Sequence, residues 1–193
     1  MNLTKQKNKG FGLIELLVAI SVMTIVSATI LTKHKAFDSA VVLRNQAYEV
    51  AFTLREAQNL AVSAAYNPDS ATGNEYRQRY GVRFDLNEPR VYRLFKDNDG
   101  NGVYTHDSGE EYGAPGILDP RFSFTYLKEI SGDDVDGPLE VMFERPNFDA
   151  VFDPTYLSGG IVIGLSAENG MIREIQVTRT GQISVLDLPG PTN

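Results

Sequence analysis

The feature that most constrains this chain is a long apolar run close to its N-terminus. Residues 11–31 read FGLIELLVAISVMTIVSATIL, and Glu15 is the single charged side chain among them. A helix of that length spans about 30 Å, the thickness of the hydrocarbon core of a bilayer. An ionisable group at membrane depth is costly to keep, so such groups are usually functional. The run therefore predicts a membrane helix whose one carboxylate has a role.

The charges on either side of the run indicate its orientation. Residues 1–10, MNLTKQKNKG, contain three lysines and no acidic residue, whereas two lysines, Lys33 and Lys35, follow the run. Cytoplasmic flanks of membrane helices carry an excess of basic residues, so this bias favours a cytoplasmic N-terminus. We expect a single-pass protein of the cytoplasmic (inner) membrane, with the rest of the chain outside the cytoplasm.

That remainder is acidic. The sequence has 18 basic and 25 acidic side chains, and three lysines precede Gly10, so the residues after it carry 15 basic and 25 acidic groups, a net charge of -10. Nucleic-acid binding depends on basic groups that neutralise phosphates, and this composition disfavours such a partner. The absence of cysteine excludes disulfides and thiolate metal sites.

Helical periodicity continues beyond the apolar run. Apolar residues recur at alternating steps of four and three, which places them on one face of a helix. They are Leu43, Ala47, Val50, Leu54, Ala57, Ala61 and Ala64. The pattern predicts one helix from about Phe11 to about Ala65. Its membrane half covers residues 11–31 and its amphipathic continuation covers residues 32–66.

After residue 66 the sequence favours short strands separated by turns. RQRYGVRFDL and RVYRLFKD are typical of a hairpin. RFSFTYLKEI alternates strongly, and we expect Phe122, Phe124 and Tyr126 on one face. LEVMFERP predicts a further strand, and no family signature is evident between Pro115 and Gly160.

Three more strands and two turns are predicted near the C-terminus. Within GGIVIGLSAENGMIREIQVTRTGQISVLDL, residues 168–170 and 180–181 are turn signals. The predicted fold class is therefore α+β. A long N-terminal helix carries a head at residues 67–193, in which an antiparallel β-sheet packs on the C-terminal half of the helix.

Three kinds of N-terminal segment share a basic start and an apolar run. A secretory signal peptide needs small residues at a cleavage site after the run, and LTKHKA is a poor match. A plain membrane anchor explains the length of the run but neither the Gly10–Phe11 pair nor Glu15. The segment KGFGLIELLVAI resembles the leader and first helix of type IV prepilins and pseudopilins, although Gly12 stands where that family commonly has Thr.

The resemblance implies how the chain is processed. In the pilin family a prepilin peptidase cuts after the glycine on the cytoplasmic side, which places cleavage between Gly10 and Phe11 and makes residues 1–10 a leader peptide. The new amino group of Phe11 is then methylated. The implied partners are the peptidase, an assembly platform with its ATPase, and other pilins or pseudopilins in a homo- or hetero-polymer.

Cleavage would also provide a partner for Glu15. The cationic amino terminus of Phe11 would lie about one helical turn away. Opposite charges attract strongly where helices pack with little water, and one unpaired charge there is costly. We therefore expect the amino terminus of one subunit to pair with Glu15 of a neighbour, so that Glu15 sets the register of assembly.

Two later segments carry a less specific resemblance. Residues 95–110, FKDNDGNGVYTHDSGE, are similar to a segment of the H-type minor pseudopilins of type II secretion and of related minor type IV pilins. Residues 179–185, RTGQISV, are similar to their closing strand pair. The resemblance implies a structural subunit, either a minor pilin or a pseudopilin, of a periplasmic or cell-surface filament.

The acidic loop within the first of these segments has two interpretations. Asp97, Asp99 and Asn101 alternate before a glycine, as in the first half of a calcium-binding loop, but Ser108 stands where an EF-hand has glutamate. The candidate Ca²⁺ ligands are Asp97, Asp99, Asn101, Val103, Asp107 and Glu110. The alternative is a solvated hairpin whose Asp, Asn and Gly residues satisfy turn geometry. A filament role requires no cofactor.

The sequence does not favour an enzyme. His34 follows the apolar run beside two lysines, His106 lies in the acidic loop, and neither belongs to a zinc or Ser-His-Asp pattern. Two alternatives to a filament subunit stay open. One is a calcium-dependent or DNA-binding, adhesin-type pilin tip, for which the net charge disfavours DNA. The other is a membrane-anchored β domain that never polymerises, which cleavage after Gly10 would argue against.

Overall fold

The computed structural model has two compact units, Met1–Ala40 and Val41–Asn193. One helix, α1, runs from Leu13 to Ser63 and contributes to both. The predicted helix ends, Phe11 and Ala65, lie outside the described residues. The structure describes residues 12–63, 78–144, 146–155 and 157–188, with the side chains of 32–37 left out.

The part of α1 within the second unit buries the face that the periodicity predicts. Leucine, valine and alanine side chains on this face are at most 1% exposed. They are Leu43, Ala47, Val50, Leu54, Ala57 and Ala61. Each fully buried leucine or valine contributes about 1.5–3 kcal/mol through the hydrophobic effect. The prediction is confirmed for these six, and Ala64 lies outside the described residues.

Among the described residues, nine strands follow the helix in chain order, and the pairings between them are all antiparallel. They are β1 (Arg79–Phe84), β2 (Val91–Asp97), β3 (Gly116–Ile117), β4 (Phe122–Glu129), β5 (Leu139–Phe143), β6 (Ala150–Asp153), β7 (Gly160–Ala167), β8 (Ile172–Thr178) and β9 (Ile183–Asp187). The α+β layout with an antiparallel, β-rich head is thus confirmed.

The strands form two sheets, whereas the sequence pattern predicts one. The larger sheet has the order β3-β2-β1-β5-β6, and the smaller has the order β4-β7-β8-β9. The short strands β3 and β6 fall between residues 115 and 160, where the sequence carries no recognisable signature. One apolar core joins the buried face of α1 to side chains from both sheets.

A bulge in β4 corrects the prediction for one aromatic residue. Phe122 and Phe124 face the core as expected, but the register of β4 against β7 shifts between Phe124 and Tyr126. Leu127 takes the next core position, and Tyr126 points to the opposite face, where its hydroxyl donates to Glu174 Oε1 at 2.6 Å. The extra residue of a bulge reverses the alternation of side chains, so a period of two carried through the strand is wrong here.

The predicted turns of the C-terminal strands are present, and one of them docks on the helix. Gly181, between β8 and β9, has a φ of 78°, which favours glycine, and an added Cβ would lie 1.8 Å from the Phe148 carbonyl oxygen. Gln58 Nε2 on α1 donates to the carbonyl oxygens of Phe148 and Gly181, each at 3.0 Å. One glutamine thus links the helix to two loops of the head.

A second, smaller core lies on the other face of the larger sheet. Phe95 on β2 and Met142 on β5 pack there against Tyr104, which belongs to the acidic loop. Gly81 on β1 makes this possible, since an added Cβ would lie 2.8 Å from both the Phe95 ring and Met142 Cγ. The acidic loop is therefore anchored on a sheet face by an aromatic side chain.

Candidate functional site

The apolar N-terminal part of α1 is exposed throughout. Leu13–Leu31 is 19 residues long, has a mean hydropathy of 2.3, and has no buried residue. By length and composition it is able to cross a membrane, although a signal sequence passes the same test. Its exposed side chains need an environment other than water, either lipid or other helices.

Glu15 lies in the first turn of this helix. Its backbone N–H and that of Leu16 both donate to the Gly12 carbonyl oxygen at 3.1 Å, so the helical hydrogen bonds start at Gly12. A carboxylate in the first turn complements the partial positive charge of a helix N-terminus. Gly10 and Phe11, the predicted cleavage and methylation residues, lie outside the described residues.

The hydroxyl groups of Ser21, Thr24 and Thr29 in the apolar segment donate hydrogen bonds within the helix. Ser21 donates to the Leu17 carbonyl oxygen at 2.8 Å, and Thr24 donates to the Ile20 carbonyl oxygen at 2.7 Å. Such bonds to the preceding turn remove the cost of placing a hydroxyl in an apolar environment. Among the segment's charged and hydroxyl-bearing side chains, Glu15 is the group with a formal charge to neutralise.

The acidic loop begins at a buried carboxylate. Asp97 is 4% exposed, its Oδ1 accepts a hydrogen bond from Gly100 N at 2.7 Å, and its Oδ2 accepts one from Gly102 N at 3.1 Å. Arg79 Nη1 lies 3.8 Å from Oδ2. Burial raises the pKa of Asp97, while these hydrogen bonds and Arg79 oppose the rise.

A second buried carboxylate closes the other end of the loop. Glu110 is 1% exposed, and its two oxygens accept hydrogen bonds from Asn98 N at 3.2 Å and from Thr105 N at 2.8 Å. Asp99, which is exposed, accepts a hydrogen bond from the Asn101 backbone at 3.0 Å, and Asn101 Oδ1 accepts one from Val103 N at 2.6 Å. The polar side chains thus hold the turns of the loop.

Three of the four carboxylates among the predicted calcium ligands come together. The carboxylates of Asp97, Asp99 and Glu110 place one oxygen each within 4.8 Å of one another. Asp107 belongs instead to an exposed group with His106 and Glu111, whose ligand atoms also lie within 4.8 Å of one another. Asp107 is therefore grouped apart from the other three predicted carboxylates.

The exposed group is tied to the sheet through a tyrosine. His106 Nδ1 lies 2.9 Å from Asp107 Oδ1, and Tyr104 Oη donates to Glu111 Oε1 at 2.8 Å. The pKa of Tyr104 is raised to about 12, mainly by burial and secondly by this hydrogen bond to Glu111. The Asp107 N–H also donates a hydrogen bond to Glu111. Of the interactions that lower the pKa of Glu111, this hydrogen bond has the largest effect. The sequence contained no signal that Tyr104 would organise this loop.

Sequence reasoning also missed a charged row across the same sheet face. The strand register aligns Arg93, Arg83, Glu140 and Asp153 on β2, β1, β5 and β6. Glu140 is fully buried, with Arg83 Nη1 at 2.5 Å from its Oε1, and its Oε2 has no hydrogen-bond partner among the described residues. Burial raises the pKa of Glu140 to about 7, against the opposing effect of Arg83.

Comparison with known proteins bears on the N-terminal segment. A family model described as the prokaryotic N-terminal methylation motif matches residues 5–31, which include the end of the basic leader and the apolar run. No curated protein and no solved structure matches the chain significantly. The motif indicates a type IV pilin-like subunit, and it implies processing by a peptidase and assembly with other pilins in general. The motif together with the exposed apolar segment that it includes fits a membrane-anchored pilin.

Proposed function

We propose that this chain is a minor pilin or pseudopilin, the structural subunit of a type IV pilus-like or type II secretion filament. The observation that carries the proposal is the exposed segment Leu13–Leu31, which lies within the methylation motif and belongs to the helix that continues to Ser63. The same apolar surface serves two environments, because lipid stores the subunit and neighbouring helices replace lipid in the filament. The resemblance of residues 95–110 and 179–185 to H-type minor pseudopilins supports the minor role.

The proposed assembly step uses the charge that processing creates. Cleavage between Gly10 and Phe11 leaves a methylated, cationic amine close to Glu15. In a water-poor bundle, a subunit stays where its amine meets a neighbour's Glu15 and is disfavoured where both charges are unpaired. Glu15 therefore sets the register, while the apolar surface supplies the attraction.

The proposed location and partners follow from this role. The N-terminus faces the cytoplasm, where the prepilin peptidase, the assembly platform and the ATPase act, and the acidic head lies on the outer side of the membrane. After assembly the head faces outward from a periplasmic or cell-surface filament. We infer no catalytic activity and no nucleic-acid partner for this head.

Substitution of Glu15 tests the proposal. In cells that produce the full chain, we expect Glu15→Ala to keep membrane insertion and cleavage, and to lose most incorporation into sheared filaments. Mass spectrometry of the N-terminus reports cleavage and methylation. Glu168→Ala, which removes an exposed glutamate from the β7–β8 turn, is the matched control and should assemble normally. Normal assembly of Glu15→Ala would contradict the proposal.

Calcium binding by the acidic loop is a second candidate function. It is supported by the convergence of Asp97, Asp99 and Glu110, and by Asn98 Oδ1, a buried oxygen in the same loop with no hydrogen-bond partner among the described residues. Carboxylate and amide oxygens are the ligands that Ca²⁺ prefers. The competing interpretation is that Asp97 and Glu110 act only as acceptors for the backbone N–H groups of the loop.

A calcium titration of the full chain in detergent separates these interpretations. Because a ligand that binds the folded state stabilises it, millimolar Ca²⁺ should raise the melting temperature. Asp99→Asn, which changes the exposed carboxylate of the converging group, should abolish that rise. Asp107→Asn, in the neighbouring exposed group, should keep it. No rise in the unsubstituted chain would leave the carboxylates as loop acceptors and rule out the calcium function.

A further inference from the structure

A polar cleft of about 300 Å³ lies between α1 and the β3 edge of the larger sheet, within the second unit. Its walls include Glu49, Thr53 and Glu56 from α1, Tyr92 from β2, and Tyr112 from the loop before β3. A cleft of this volume is at the lower end of the range for sites that bind small molecules. Its size therefore suits a small ligand better than a macromolecule.

The cleft carries negative charge without positive charge. Glu49 and Glu56 are both exposed, and none of the described residues that line the cleft is basic. Glu49 accepts a hydrogen bond from Gln46 Nε2 at 2.7 Å, whereas Glu56 has no hydrogen bond or ion pair within the described part of the chain. A concave surface lined by one sign of charge attracts ions of the opposite sign. The cleft therefore favours a cation.

The spacing of the two glutamates favours an organic cation over a metal ion. Glu49 and Glu56 are seven residues apart on α1, so they are separated by about 10 Å along the helix axis. Oxygen ligands of one calcium ion lie within about 2.6 Å of it, so two of them are at most about 5 Å apart. The two carboxylates are thus suited to an elongated cation, or to one ammonium group each.

Two tyrosines give the cleft walls that suit an ammonium group. The Tyr112 ring is 39% exposed and lies edge-on to Tyr80, with 5.5 Å between the ring centres. Tyr92 is buried, and a hydrogen bond joins its side chain to that of Thr53. Burial, and secondly the negative charge of Glu49, raise the pKa of Tyr92, so its hydroxyl stays neutral. An aromatic face attracts a nearby cation, and a neutral hydroxyl oxygen accepts a hydrogen bond from it.

The Tyr92 wall of the cleft is held in place by its neighbours. Gly116 on β3 pairs with Tyr92, and an added Cβ at Gly116 would lie 2.1 Å from the Tyr92 ring. Glycine therefore lets the β3 backbone close over the ring. The rings of Phe84 and Phe124 pack on Tyr92 with their centres 6.4 and 6.2 Å away. A wall fixed in this way is pre-organised, which lowers the entropic cost of binding a ligand.

We propose that this cleft binds an alkylammonium cation, whose charge pairs with Glu56 or Glu49 and whose alkyl chain packs against Tyr112. The alkylammonium group is common to short free diamines and to lysine side chains. A diamine places one ammonium group at each glutamate, whereas a lysine side chain uses one of the two. The inference goes beyond the proposed filament function, because the cleft contains no residue of the apolar segment Leu13–Leu31.

Calorimetric titration of the full chain in an uncharged detergent tests the proposal, with n-butylammonium as the probe. We expect saturable binding of n-butylammonium and none of n-butanol, which has the same alkyl chain without the charge. Glu56→Gln should weaken binding about tenfold, because it removes the ionic partner and keeps the size of the side chain. Glu168→Gln, which neutralises an exposed glutamate in the β7–β8 turn, is the matched control and should bind as the original chain does.

A pair of substitutions at Tyr112 tests the aromatic wall. Tyr112→Leu should weaken binding of n-butylammonium about threefold, because it removes the ring and keeps an apolar side chain. Tyr112→Phe keeps the ring and should retain the original affinity. Because Tyr112 packs on Tyr80, each variant is checked for a protease-resistant head.

Two further probes distinguish the sources of the alkylammonium group. Putrescine that binds about tenfold more tightly than n-butylammonium, and loses this advantage in Glu49→Gln, would support a free diamine as the ligand. Tighter binding of Nα-acetyl-lysine amide would support a lysine side chain. Equal affinities of the three probes would support recognition of the ammonium group alone.

Two results would overturn the binding of an alkylammonium cation. One is the absence of saturable n-butylammonium binding to the original chain. The other is unchanged binding by both Glu56→Gln and Tyr112→Leu with the head intact, which would place the cation elsewhere. Neither result affects the proposed filament function, which the incorporation of Glu15→Ala tests separately.

Discussion

Leu17 and Leu54 are both leucines of α1, and their surroundings are opposite. Leu17 is 56% exposed, whereas Leu54 is fully buried. The same contrast holds along the helix, since Leu13–Leu31 has no buried residue and the predicted stripe from Leu43 to Ala61 is at most 1% exposed. Apolar residues in one helix thus serve two purposes. The C-terminal half of the helix packs in the core and stabilises the head. The N-terminal half leaves its apolar surface available for contact with lipid or other subunits.

The largest expected effect contrasts these two leucines. Leu54→Ala should lower the free energy of unfolding of the head by about 2–5 kcal/mol, because it leaves a cavity in the core. Leu17→Ala should leave that free energy unchanged, since its side chain is already exposed. Urea unfolding of the full chain in detergent, followed by the near-UV circular dichroism of tyrosine, measures both, as the chain has no tryptophan. Equal effects of the two substitutions would contradict the contrast.

The next effect depends on pH and contrasts the buried carboxylate of Glu140 with the exposed carboxylate of Glu15. The pKa of Glu140 is raised from 4.5 to about 7 in the folded chain, so the folded state binds its proton more tightly than the unfolded state. The contribution of Glu140 to stability is greatest below pH 4.5, falls as the pH rises to about 7, and is then constant, a loss of about 3 kcal/mol.

Glu140→Gln should remove this loss of stability with rising pH, because the glutamine side chain does not ionise. The measurement is urea unfolding of both chains between pH 4.5 and 8, and the difference between them isolates Glu140 from Asp97, whose pKa is also raised. Glu15→Gln is the matched control in the exposed half of α1. A difference between Glu140→Gln and the original chain that does not vary with pH would show that Glu140 ionises normally in the head.

The smallest effect contrasts two hydrogen-bonding side chains of the helix. Gln58→Leu should cost the head about 1–2 kcal/mol, because the carbonyl oxygens of Phe148 and Gly181 lose their donor. Ser21→Ala should cost the head nothing, since the Ser21 hydroxyl bonds only to the preceding turn of its own helix, at Leu17. The melting temperatures of the two variants measure this difference. Equal melting temperatures would contradict the inference that Gln58 stabilises the head by linking the helix to the two loops.

Much of the architecture could be predicted because it depends on local patterns. The helix, its buried face, the β1–β2 hairpin and the turn before β9 each follow from the spacing of apolar residues or from turn chemistry within a few positions. The converging carboxylates were partly predictable, since Asp97 and Asp99 are near neighbours. Their approach to Glu110, and the departure of Asp107, depend on how the loop folds back over the Tyr104 side chain.

The sequence by itself determined which residues must avoid water and where the chain turns. It therefore determined the membrane-length segment, the methylation motif and the α+β layout. Only the tertiary structure decided which distant residues meet. It divided the strands into two sheets, moved Tyr126 to the outer face through a bulge, and buried Glu140 beside Arg83. The physical reason is that periodicity acts over a few residues, whereas strand register and burial depend on pairs separated by tens of residues.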